Sequence, residues 1–102
     1  MRYETFSRRL VEAVLSTPGD TPAELRRAAL ERATAPGALG PYVSKVARHA
    51  YKITDTEVAQ LRQAGHSDDS LFEITVAAAV GAAIYRLDRG MAALRGEEPP
   101  PD

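Results

Sequence analysis

The sequence predicts an all-α protein of about five helices, the last of them long and rich in alanine. Apolar residues recur every three to four positions along most of the chain, and capping signals precede several of these runs. No segment shows the alternation of apolar and polar residues that is typical of a strand. A chain of 102 residues suffices for one domain with a modest core. We expect this domain to span residues 1–95 and a disordered acidic, proline-rich tail to span 96–102.

The first two helices are predicted from an amphipathic run and from a cluster of capping residues. Residues 3–15 place aromatic and aliphatic side chains on one side, with charged residues between them. The segment Ser-Thr-Pro-Gly-Asp at 16–20 breaks this helix. Thr21 is expected to cap a second helix that runs to about residue 33, with Pro22 in its first turn and Glu24 completing a capping box.

The third and fourth helices follow a short loop rich in proline and glycine at 35–41. Pro41 is expected to open a helix that continues to about Tyr51. Thr54 and Glu57 then have the spacing of a capping box and predict a short fourth helix. Gly65 suits the left-handed conformation with which such a helix commonly ends.

The fifth helix is predicted from Asp68 to about Arg95, with Ser67 as its N-cap. At 1.5 Å per residue it would be roughly 40 Å long. Between Ile74 and Ala83 it carries no charge on any side, so every side of it should be covered.

Small residues in this helix indicate what covers it. Ala77 with Gly81, and Ala78 with Ala82, form smooth strips that another backbone can approach closely. We interpret these four residues as an oligomer interface, because most soluble oligomers contain identical chains. The alternative is that the alanines satisfy helix propensity inside a monomer.

Composition excludes several classes of function. Thirteen basic residues nearly balance fourteen acidic ones, so no net field favours nucleic acid. There is no cysteine, which removes disulfides, thiolate metal sites and thiol redox chemistry. The N-terminus shows no signal-peptide pattern, and the longest uncharged run is about half the roughly 20 residues that a membrane span needs. We therefore expect a cytoplasmic protein with no cofactor, metal, nucleic-acid or membrane partner.

The second half of the chain resembles a known family. A short helix ends at Gly65, and Ser67 opens a long Ala-rich helix that begins Leu71-Phe-Glu-Ile74. This pattern, spread over roughly Pro41 to Leu94, resembles the AhpD-like, carboxymuconolactone decarboxylase superfamily. The resemblance implies an all-helical fold and a homo-oligomer, often a trimer or a hexamer.

The chemistry of that family does not transfer to this chain. Peroxidase members carry Cys-x-x-Cys-x-x-x-His before the glycine, and the matching positions here are Ala50, Ile53 and Glu57. Thiol peroxidase activity is therefore excluded. Decarboxylase members use histidines in the same region, where this chain has Tyr51 and Glu57. The resemblance thus implies the fold of the family without the residues of its usual catalytic site.

Two functions remain open from the sequence. One is a non-redox binding or assembly subunit, which interacts with itself and with a small organic ligand. The other is an acid/base enzyme that acts on a small organic acid or lactone without a thiol. Its candidate catalytic residues are Arg48, His49, Tyr51, Glu57 and Glu73. Among these residue types, imidazole is the one best suited to general acid/base chemistry at neutral pH, which favours His49 as the acid or base. A structural role is the favoured interpretation of both glutamates: Glu57 as the capping-box residue of the fourth helix, and Glu73 as an exposed residue in the first turns of the fifth.

A DNA-binding helix-turn-helix is the third interpretation, since a short turn with a glycine joins the fourth and fifth helices. The would-be recognition helix opens with Asp68 and Asp69, whose charge repels phosphates. This disfavours the interpretation.

Overall fold

The computed structural model describes residues 2–31, 37 and 39–97. The helices are α1 (Arg2–Ser16), α2 (Ala23–Leu30), α3 (Leu39–Arg48), α4 (Asp55–Gln63) and α5 (Asp68–Leu94). A single 3-10 turn at Ala50–Lys52 lies between α3 and α4. The prediction of an all-α fold with a long final helix is confirmed. The expected end of the second helix near residue 33 lies outside the described residues, as does the tail from residue 98 onward.

The long helix α5 is the centre of the fold, and α2 and α3 pack along it. Leu61 of α4 and Ile74 of α5 have the most fully buried large side chains. Polar contacts join α3 to α5 at two levels. The Tyr42 hydroxyl lies 2.6 Å from the Thr75 hydroxyl, and the Arg86 guanidinium donates to the Ala47 carbonyl at 3.2 Å. These contacts fix α3 at both ends against one side of α5.

The small residues of α5 allow α2 of the same chain to approach closely. Ala77 and Ala78 are fully buried and Ala82 is 4% exposed. A Cβ atom at Gly81 would overlap the carbonyl oxygen of Leu30 and lie 2.8 Å from its carbonyl carbon. In the single chain α2 therefore occupies that side of α5, and the prediction that these four small residues form an oligomer interface stays a prediction.

Local capping signals determine both ends of α4 and the start of α5. Thr54 and Glu57 form the predicted capping box, Gly65 has φ of 102°, and the Ser67 hydroxyl accepts from the Ser70 amide at 3.0 Å. The start of α2 is different. Pro22 occupies its N-cap position without a side-chain hydrogen bond, and the predicted Thr21–Glu24 box does not form. Instead, Thr21 is buried and binds a residue of α5, so a tertiary contact replaces the local one.

Among the described helices, α5 is long and apolar enough to cross a membrane by length and composition alone. The core helix of a soluble protein meets the same test. The helix therefore gives weak information about location.

Candidate functional site

The predicted catalytic residues occupy three separate places in the structure. Arg48, His49 and Tyr51 lie together where α3 passes into the 3-10 turn. All three are exposed, Tyr51 by 81%. The His49 and Tyr51 rings meet edge to face with centroids 6.0 Å apart, and Arg48 reaches the Ser44 hydroxyl at 3.5 Å. This arrangement is a solvated surface cluster.

Glu57 has the contacts of a structural residue. Its carboxylate accepts from Lys45 Nζ at 2.7 Å and from the Thr54 amide at 3.3 Å. The hydrogen bond from Lys45, followed by that ion's charge and the Thr54 donors, lowers the pKa of Glu57 below its ordinary value of 4.5. Glu57 therefore joins α4 to α3 as an anion, and a lowered pKa makes it a weaker base at neutral pH.

Glu73 holds the loop between α1 and α2 against α5. Its carboxylate accepts from the Asp20 amide at 2.7 Å, the Thr21 amide at 2.9 Å and the Thr21 hydroxyl at 2.6 Å. The Thr21 hydroxyl, then the Asp20 amide, lower the pKa of Glu73 below its ordinary value of 4.5. A Cβ atom at Gly19 would lie 2.6 Å from either carboxylate oxygen, so the loop fits closely around this group. Neither His49 nor Arg48 takes part in this contact.

An apolar groove lies beside Glu73, between α1 and α5. Its volume is about 310 Å³, at the lower end of the roughly 300–1,000 Å³ typical of small-molecule sites. The aliphatic and aromatic part of its wall comes from Leu10, Val14, Phe72, Val76 and Val80. Glu73 and Arg26 provide charged groups in the same wall. Of the five predicted catalytic residues, Glu73 alone lines this groove.

Arg26 is the charged residue that the sequence did not single out. It is 7% exposed, and its Nη1 atom donates to the carbonyls of Val14 at 2.8 Å and Thr17 at 2.6 Å. Its Nε atom is buried and has no acceptor in the described part of the chain. The position lies between Leu25 and Ala29 on a short amphipathic helix, which gives no sequence signal that a guanidinium would be buried there.

The outward side of α5 is apolar and exposed. Phe72 is 68% exposed and Val76 is 37% exposed, and Ala79, Ala83 and Gly90 are exposed as well. We name these five residues the outer strip. The first four follow the 4-3-4 spacing of a helix that packs against another helix, and Gly90 continues it seven residues after Ala83. The sequence predicted that α5 is covered on every side, whereas in the single chain this side is exposed.

No group of three or more histidine, cysteine, aspartate or glutamate side chains with the geometry of a metal site occurs among the described residues. Comparisons with family models, with curated proteins and with solved structures gave no match. The function must therefore be argued from the contacts of this chain.

Proposed function

We propose that the protein is a homo-oligomeric binding or assembly subunit that associates with copies of itself through the outer strip of α5. The observation that carries this proposal is the exposure of Phe72, Val76, Ala79 and Ala83 in a row with helix-packing spacing. Large apolar patches on a soluble protein commonly mark interaction sites. In this proposal the outer strip is the oligomer interface in place of Ala77, Ala78, Gly81 and Ala82, because those four residues face α2.

A second copy fits the outer strip better than a lipid surface does. Ala79, Ala83 and Gly90 have small or no side chains, so another helix can approach α5 closely along this side. A helix that inserts into a lipid interface generally presents large apolar groups there. At position 86 of the same side, Arg86 is exposed and its guanidinium donates to Ala47. The small residues and the Arg86 charge, which is bound by the Ala47 carbonyl, both favour contact with another helix over insertion into lipid.

The resemblance to AhpD-like proteins supports the same proposal. Members of that family are all-helical homo-oligomers, and the confirmed all-α fold is compatible with membership. We propose a trimer or a hexamer on this basis. A cytoplasmic location remains the prediction from the sequence.

The acid/base enzyme has less support. Arg48 and His49 lie in an exposed cluster, while Glu57 and Glu73 line two different depressions. Both carboxylates also have a lowered pKa because neighbouring donors bind them. Catalysis by this set would need the residues to converge on one substrate.

Native mass spectrometry of the wild-type chain and of Ala79→Glu tests the proposal. We expect an oligomer for the wild type. In the variant, an unpaired buried carboxylate at the contact costs about 3 kcal/mol or more, which weakens association at least roughly a hundredfold. Ala23→Glu is the matched control, since Ala23 is an exposed alanine in the first turn of α2 and the charge change is identical.

Three outcomes decide the matter. Dissociation by Ala79→Glu with an intact Ala23→Glu oligomer supports the outer strip as the interface. A wild-type monomer at tens of micromolar overturns self-association. A wild-type monomer that floats with phospholipid vesicles, and an Ala79→Glu variant that does not, would assign the outer strip to a membrane surface instead.

A further inference from the structure

We propose that two copies of the chain pair their α5 helices in antiparallel orientation, with Phe72 of each copy against Ala83 of the other. This inference rests on the self-association proposed above and adds the orientation and the register of the contact. It is carried by the order in which large, small and charged side chains follow one another along the exposed side of α5.

The size of the side chains changes along the outer strip. Phe72 and Val76 come first and are the two large residues, whereas Ala79 and Ala83 follow and are small. All four are exposed, Phe72 by 68%. A parallel pair would bring each residue against its own copy, so two phenylalanines would meet in one layer and two alanines in another. Helices packed in this way could not keep one separation along the contact.

An antiparallel pair places a large residue against a small one in every layer. A single two-fold axis that passes between positions 77 and 78 brings Phe72 against Ala83 and Val76 against Ala79. In such a contact each residue of one copy meets its counterpart on the other, and the reverse contact follows by symmetry. The facing layers then interdigitate as they do between well-packed helices.

The charged residues at the two ends of this contact are complementary in the same orientation. The axis that pairs Phe72 with Ala83 also brings Asp69 of one copy to Arg86 of the other, and both residues are exposed. Arg86 donates through Nη2 to the Ala47 carbonyl, and a guanidinium has further N–H donors that can bind a carboxylate. A parallel pair would instead bring the two Asp69 carboxylates together. Antiparallel helix dipoles also oppose each other favourably.

The charges fix the register as well as the orientation. A shift of the second helix by one heptad in either direction preserves the spacing of the layers. It would, however, place Arg86 against Val76 in one case and Asp69 against Ala79 in the other. Both shifts bury a charge against an apolar residue, which is costly. The register centred between positions 77 and 78 avoids this cost.

A two-fold contact also restricts the number of chains. Each outer strip is fully used by one partner, so this contact joins chains in pairs and requires an even number of them. Of the trimer and the hexamer implied by the family resemblance, the antiparallel pair therefore selects the hexamer.

Crosslinking through introduced thiols tests the orientation, because the chain has no cysteine of its own. A ¹⁵N-labelled Asp69→Cys chain is mixed with an unlabelled Arg86→Cys chain, and a short bismaleimide joins neighbouring thiols. In the mixed pair the two thiols face each other, while the second Asp69–Arg86 contact is retained. In either variant alone the thiols would lie roughly 25 Å apart along the helices. We therefore expect the crosslinked product of mixed mass to exceed either product of uniform mass by about tenfold, measured by denaturing mass spectrometry.

Two controls show whether the crosslink reports on the outer strip. Glu24→Cys replaces Arg86→Cys in the first control, since Glu24 is exposed on α2, which packs against a different side of α5. This mixture should give no product of mixed mass. In the second control both chains of the original mixture also carry Ala79→Glu, and the mixed product should be lost.

The outcomes separate this inference from self-association in general. A wild-type oligomer in which each cysteine variant crosslinks to itself would overturn the antiparallel pair and leave self-association intact. The same holds for a trimer in native mass spectrometry, and for an oligomer that gives none of these crosslinks. A wild-type monomer without crosslinks would overturn both proposals.

Discussion

Replacement of Gly81 by alanine tests the packing of α2 on α5, where the backbones of the two helices lie in close contact. In an exposed helix the exchange would be favourable, because alanine is the better helix former by about 1 kcal/mol. Here the new methyl group would overlap the Leu30 carbonyl oxygen and lie 2.8 and 2.9 Å from the carbonyl carbon and Cα atom of that residue. These are backbone atoms of α2, so no side-chain rotation relieves the overlap.

The expected effect follows from two opposing terms. Overpacking a well-filled site costs typically about 1–3 kcal/mol, and the backbone position of the clash favours the upper end. Subtracting the gain of about 1 kcal/mol in helix propensity leaves a net loss of about 2 kcal/mol. For a domain of this size, about 1 kcal/mol shifts the midpoint of thermal unfolding by roughly 4–8 °C, so we expect Tm to fall by about 8–16 °C.

Gly90→Ala is the matched control in the same helix. No atom lies within 4 Å of a Cβ atom built at Gly90, and this residue is exposed. Both glycine variants are compared in the Ala79→Glu background, because Gly90 belongs to the outer strip and its replacement would otherwise also affect association. In that background Gly90→Ala should gain about 0.5–1 kcal/mol from propensity alone. Circular dichroism at 222 nm during thermal and urea unfolding measures both changes.

The two glycines should thus respond with opposite signs. If Gly81→Ala were as stable as Gly90→Ala, α2 would not lie against α5 at this point. The small residues of α5 would then be available to a second copy, as the sequence suggested.

Three further substitutions test the capping and loop contacts. Thr54→Ala removes the capping box of α4 and should lower the free energy of unfolding by about 1 kcal/mol, whereas the exposed neighbour variant Thr56→Ala should change it far less. Gly65→Ala forces a side chain into φ of 102° and should cost about 1 kcal/mol or more in urea unfolding, although the space around it is open. Glu73 has a lowered pKa, so its contribution to stability is present above about pH 4.5 and is lost as the pH falls through its folded-state pKa. Acidification below pH 4.5 should therefore lower the free energy of unfolding of Glu73→Gln less than that of the wild type, as measured by urea unfolding at each pH. If the free energies of unfolding of both proteins fell equally with pH, the Glu73 loop contact would be contradicted.

Local signals in the sequence were sufficient to locate the helices. Thr54 with Glu57, Gly65 and Ser67 each act on backbone groups within a few residues, so their effect can be predicted without knowledge of the fold. The same reasoning failed at Thr21. Its hydroxyl can serve a local amide or a distant carboxylate, and Glu73 of α5 provides the latter at 2.6 Å.

The candidate site was less predictable. Glu73 was identified from its place in the first turns of α5, but its partners lie more than fifty residues away in the sequence. The burial of Arg26 depends on the carbonyls of Val14 and Thr17, which α1 and the following loop bring to it. Neither contact has a pattern along the chain that would predict it.

The sequence by itself determined that α5 is a long helix with apolar residues on every side, because helix formation and composition are properties of the segment alone. Only the tertiary structure decided which side is buried. The side with Ala77, Ala78, Gly81 and Ala82 meets α2, while the side with Phe72, Val76 and Ala79 stays exposed. Both sides are apolar, so hydrophobicity does not distinguish them. Backbone proximity does, because Gly81 admits the Leu30 carbonyl where any larger residue would exclude it.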